Sequence, residues 1–258
     1  MMSVGRMTVA AALVIGTIGA TAVRAAERPI KDGQRIAFPG ASITQAGAGT
    51  KGKVRLFILA GQSNMVYLDE SKSLTPTIKK AFPEDEVIVV KYAQGGTPIR
   101  LWFKGWKAPE GADESWTKDK ERQGSLYDTL MEKVTKAIEG KTPDTVSFVW
   151  MQGERDAKGG VAASYEDALR GLIKKVREDM KCDDVTVVVG RLSDHRKNEK
   201  HWDTVRAIQE KVAKEDPRAA WVDTDTLNGP NNDLHYSKEG FVELGRLFAE
   251  ETIKLLSK

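Results

Sequence analysis

The chain has 258 residues, 40% of them hydrophobic and 30% charged, with a formal net charge of +3. That length holds one large α/β domain or two small ones, and the composition is that of a soluble globular protein. No Lys/Arg run interleaved with aromatics points to nucleic acid, and the single cysteine, Cys182, excludes an intrachain disulfide and a CxxC metal or redox motif.

The N-terminus reads as a secretory signal peptide. Met1–Met7 carries one arginine and no acid, Thr8–Val23 is apolar and small, and Val23-Arg24-Ala25 resembles a small-x-small cleavage site. The competing reading is an uncleaved membrane anchor, but the apolar run is short and rich in Gly, Ala and Thr. Cleavage near Ala25 is the expectation, with a secreted or periplasmic chain and no membrane association afterwards. Arg6 and Arg24 supply two of the three net positive charges, so much of the basic pI belongs to this segment.

An extension over residues 26–52 comes next, and within it "IAFPGASITQAGAG" presents Ser42 after a short apolar run. Pro39 ends that run and cannot donate to a sheet ladder. From residue 53 strands and helices alternate. Continuous apolar runs at Val54–Ala60, Glu86–Ala93, Thr145–Met151, Asp184–Gly190 and Ala219–Thr224 read as five buried parallel strands. Helical spacing marks Ser125–Glu139, Ser164–Met180, Trp202–Lys214 and a last helix capped by Ser237. Such β-α alternation predicts a doubly wound parallel sheet with its ligand at the strand C-terminal ends. Leu101–Gly124 breaks the alternation. It is polar, holds Trp102, Trp106 and Trp116, and reads as a long functional loop over that edge.

The chemistry-bearing residues fall at the same edge. Ser63 follows the strongest strand and opens a helix, so its Oγ is a candidate nucleophile and its N–H a candidate oxyanion donor. Such a serine needs a base. Of the three histidines, His195 and His201 lie in a charged loop, whereas His235 precedes the last helix with Asp233 two residues before it. An acid there can orient the imidazole. The third strand ends in "WMQGERDA", placing Gln152 as an amide donor and Glu154 as a second acid candidate. The second ends in "AQGGTPI", where Gly95 or Gly96 can offer a backbone N–H.

"GQSNM", "GGT" followed by Trp102, "WMQGE" and "DLHYSKEGFVELGRLFAE", in that order and each at a strand end, resemble the SGNH-hydrolase superfamily. The match is closest to its branch of sialate O-acetylesterase-like proteins and family 6 carbohydrate esterases, and it runs from Val54 to the C-terminus. The resemblance implies a three-layer α/β/α sandwich and a serine esterase, free of metal or other cofactor, that removes acetyl groups from carbohydrates such as acetylated xylan or sialic acid. It matches Ser63 to the nucleophile, His235 to the base, and Ser63, Gly95 or Gly96, and Gln152 to the oxyanion donors. Gln62 and Asn64 are candidate substrate contacts, Trp102 and Trp106 candidate sugar platforms, and Arg100 a partner for an acidic sugar. Many relatives carry the acid three residues before the histidine. That position is Asn232 here, so Asp233, Glu154 and the more distant Asp225 remain alternatives. The competing functions are a carbohydrate-binding protein without turnover and an esterase of non-acetyl specificity. "AGQSNM" in place of G-x-G-x-x-G excludes a dinucleotide site.

Overall fold

The computed structural model describes residues 52–258. The signal-peptide reading and Ser42 lie outside the described residues.

Five strands, β1 (Val54–Gly61), β2 (Glu86–Ala93), β3 (Thr145–Met151), β4 (Thr186–Gly190) and β5 (Ala219–Val222), form one parallel sheet in the order β2-β1-β3-β4-β5. Leu56–Ala60 in β1 is almost wholly buried, as expected for a central strand covered on both faces. In register, β1 pairs Leu59 with Lys91 of β2 on one side and with Val149 of β3 on the other. The chain leaves β1 in one direction for β2 and then returns past it to β3. That reversal opens a crevice at the C-terminal ends of β1 and β3, the place where open α/β sheets bind ligands.

Among the described residues seven α-helices flank the sheet: α1 (Ser63–Tyr67), α2 (Leu74–Ala81), α3 (Ser125–Ala137), α4 (Glu154–Lys158), α5 (Tyr165–Met180), α6 (Lys200–Glu215) and α7 (Lys238–Leu256). Right-handed crossovers set α3, α5 and α6 on one face, and α2 packs with α7 on the other. Ser237 caps α7, its Oγ accepting the Gly240 N–H at 2.9 Å. Among the described residues no helix is long and apolar enough to cross a membrane.

Two helices escape the sequence pattern. Pro76 makes "LTPTIKKA" look like a turn, yet it sits in the first turn of α2, where the N–H groups have no intrahelical partner to lose. Helix α4 is five residues long, too short to show a period. Strand β4 begins at Thr186, two residues later than expected, and Cys182 is half-buried against the core.

Gly61 ends β1 with φ +152°, and a Cβ there would lie 1.9 Å from the Met151 carbonyl oxygen. The turn into Ser63 therefore depends on glycine at this position. Gly61→Ala is expected to cost about 1–3 kcal/mol, read as a lowered thermal midpoint; an unchanged midpoint would contradict this packing.

Candidate active site

The site is assembled from three strand ends. Past β1, the Gln62 N–H donates to the Met151 carbonyl at 2.9 Å, which ties the corner to β3. Half-buried Ser63 then opens α1. Its Oγ lies 3.0 Å from His235 Nε2, which arrives on the segment between β5 and α7. At that distance the imidazole can take the hydroxyl proton directly.

The next residue, Asn64, holds this pair in place. It is 2% exposed. Its Nδ2 donates to Glu154 Oε1 at 2.9 Å and to the Leu234 carbonyl at 3.3 Å, and its Oδ1 accepts the Tyr236 N–H at 3.4 Å. One side chain thus grips the backbone on both sides of His235 and is itself anchored on α4. A buried amide with these partners withdrawn would leave several polar groups unsatisfied.

No hydrogen bond or ion pair joins His235 to a carboxylate among the described residues. Its pKa is lowered, first by burial and then by the positive charges of Lys158 and His195. Lys158 is exposed at the end of α4, and His195 is fixed by Nδ1 to the Asn232 carbonyl at 2.6 Å. The imidazole stays neutral, and able to accept a proton, at lower pH than a free histidine would.

The acid candidates all lie elsewhere. Asp233 is exposed; the Gly229–Asn232 turn and a bond from Asn228 Nδ2 to the Asp233 carbonyl fix its backbone, and its carboxylate bonds to nothing described. Asp225 is gripped by Arg206, at 2.6 and 2.9 Å, and by Arg191 at 2.9 Å. Burial would raise its carboxyl, but these two guanidinium groups outweigh it and hold the pKa down. Glu154 faces Asn64 instead of His235. It is 2% exposed, its Oε2 has no partner, and burial pushes its carboxyl up to about 7.

Gln152 also departs from expectation. It is fully buried, and its Nε2 lies 2.5 Å from Asp156 Oδ2, 3.1 Å from the Thr97 carbonyl and 3.3 Å from Gln62 Oε1. Two amide hydrogens already face three internal acceptors, so none is left for an oxyanion. Asp156, pushed up to about 7 by burial, also accepts the Ile99 N–H at 3.0 Å, so Gln152 knits the strand ends together. Gln62 serves the same network, its Oε1 accepting the Arg155 N–H at 3.2 Å. Gln62 and Asn64 are therefore framework and not free contacts for substrate.

The glycine donors are better placed. A Cβ on exposed Gly95 would lie 3.9 Å from Ser63 Cβ, so this backbone abuts Ser63. Gly96 follows at φ +67° with open space around it. Neither glycine N–H has a partner among the described residues. With the Ser63 N–H they offer donors where an oxyanion would form.

The expected sugar platforms are interior. Trp102 is 1% exposed, edge-on to Trp150 at 5.4 Å. Trp106 and Trp116 bury against each other at 6.2 Å, pinning their loop to the domain. Arg100 is buried too, with Nε and Nη1 unpartnered, and cannot meet a substrate carboxylate at the surface.

Asn64→Ala should lower kcat/KM for p-nitrophenyl acetate about 100-fold, the scale of a misplaced catalytic group, while Asp233→Asn should change it less than about threefold. The reverse ranking would contradict the clamp. The acidic limb of the kcat/KM profile should lie below the ordinary imidazole value of 6.5, and Lys158→Gln should move it upward by removing a neighbouring cation. A downward move would contradict that assignment.

Comparison with known proteins adds a family to this geometry. Among curated proteins no sequence matches. Solved structures with similar folds include a protein from Arabidopsis thaliana, 19% identical over 79% of this chain and 98% of that one, TM-score 0.58. Others are a carbohydrate acetylesterase from Xanthomonas citri, 15% identical over 77% and 55%, TM-score 0.54, and a family 3 carbohydrate esterase from Clostridium thermocellum, 14% identical over 80% and 98%, TM-score 0.51. At these identities the likeness shows the fold. The family match spans residues 68–254, starting just past Ser63 and including Gln152, Glu154 and His235. By that match the chain belongs to the carbohydrate esterase family described as sialic acid-specific acetylesterase.

Proposed function

We propose that this carbohydrate O-acetylesterase works through an acetyl-enzyme on Ser63. Ser63 Oγ attacks the acetyl carbonyl carbon as His235 Nε2 takes its proton. The N–H groups of Ser63 and Gly95, with Gly96 beside them, receive the oxyanion, each donor contributing about 2.7–4 kcal/mol. His235 returns the proton to the departing sugar hydroxyl. Water then attacks the acetyl-enzyme with His235 again as base, releasing acetate and restoring Ser63. In this reading His235 needs no bonded carboxylate; Asn64, anchored by Glu154, sets its position.

The observation that carries the reading is the 3.0 Å separation of Ser63 Oγ and His235 Nε2. A carbohydrate-binding protein without turnover has no use for that pair. For substrate we favour an O-acetylated sialic acid over acetylated xylan. The family description supports that choice, as does the Lys158 ammonium, whose charge bears on the base and suits a sugar bearing a carboxylate. We place the mature protein outside the cytoplasm on the strength of the leader alone.

Acetate release from O-acetylated sialic acid and acetylated xylan tests this directly. Ser63→Ala should abolish release on whichever sugar the wild type hydrolyses, and Ser42→Ala should leave it intact. Near-full activity in Ser63→Ala would end the proposal.

A further inference from the structure

The sugar must sit against His235, because that imidazole returns its proton to the sugar oxygen. What borders His235 on the open side is therefore the floor for the sugar. The buried tryptophans do not border it. Tyr67 does: its ring meets the His235 ring at 5.2 Å and 81°, and it is 56% exposed.

This exposure is not scattered. Among the described residues the exposed large hydrophobic side chains are Val66, Tyr67 and Val242. Two of them follow Ser63 within α1. The third neighbours Phe241 on α7, whose ring contacts Tyr67 at 5.9 Å and Tyr236 at 5.6 Å. All three thus gather at the elements that carry or border the nucleophile and base. Singly exposed apolar residues are ordinary on a protein surface, but here all three fall on the elements of the catalytic edge, where exposed apolar surface points to binding. The ring meets Phe241 and His235 in T-shaped contacts, which fix its plane, while more than half of the residue stays open to solvent. An aromatic surface with a polar tip matches a pyranose, which has an apolar C–H face and hydroxyls around its rim.

We infer that Tyr67, held by His235 and Phe241, is the platform on which the leaving sugar stacks, and so a specificity-determining residue of this esterase. The inference rests on the proposed deacetylation of sugars. Its test compares an acetylated sugar with ethyl acetate, which has no ring to stack. Tyr67→Ala should lower kcat/KM on O-acetylated sialic acid, or on acetylated xylobiose, about tenfold, chiefly through KM. The fall on ethyl acetate should be much smaller, and Tyr67→Trp should retain the sugar activity. Equal losses on sugar and ethyl acetate would overturn the inference, since Tyr67 would then act only by buttressing His235; so would no loss on either. If the wild type hydrolyses ethyl acetate but neither sugar, the sugar reading itself falls, and the platform falls with it.

Discussion

The site depends on one buried amide. Asn64 joins the corner after β1 to the carboxyl of Glu154 on α4 and to the backbone on either side of His235. These segments lie far apart in sequence; Gln62 ties the corner to β3 and α4, and Asn64 adds the link to the histidine segment. A separation of 3.0 Å between Ser63 Oγ and His235 Nε2 is a demanding tolerance for a partly exposed loop. It is met because the flanks of the histidine are fixed, not because the imidazole itself is gripped by an acid.

The same strand ends hold two buried carboxyl groups, Glu154 and Asp156, and neither forms an ion pair. Burial pushes both up to about 7, so near neutral pH a substantial share of each is uncharged. The folded chain then binds protons that the unfolded chain has released, and the stability these groups contribute declines as pH rises from the ordinary carboxylate range through about 7. Hydrogen bonds from Asn64, Gln152 and the Ile99 backbone partly offset the burial. The outcome is a buried polar frame under an open catalytic edge. Gln152 belongs to that frame, which is why its amide is not available to the oxyanion, and backbone donors at Ser63 and Gly95 take the exposed positions.

Much of this could be read from the sequence. Five apolar runs located the strands within two residues, because strands buried on both faces are continuous in composition. The motifs at the strand ends brought Ser63, Gly95, Gln152, Glu154 and His235 to one edge, since a parallel sheet delivers all its C-terminal ends together. What composition could not show was the direction of each side chain. Asp233 is near His235 in sequence, but the turn before it points its carboxylate to solvent. Trp102 and Trp106 sit in a polar stretch that reads as surface, yet ring-on-ring contacts fold them inward, and Arg100 just before it is buried as well. Tyr67 gave no signal, being one residue of a five-residue helix whose exposure depends on α7. The Asn64 clamp was equally hidden, because its partners are some 90 to 170 positions away.

The proposed mechanism needs Ser63 to be a nucleophile activated by a histidine that Asn64 positions. Covalent trapping reads that out without any choice of substrate. After treatment with phenylmethylsulfonyl fluoride, peptide mass spectrometry should find one sulfonyl adduct, on the peptide containing Ser63. It should form markedly more slowly in Asn64→Ala. An adduct on Ser42, or an unmodified Ser63 in the active wild-type protein, would contradict the account.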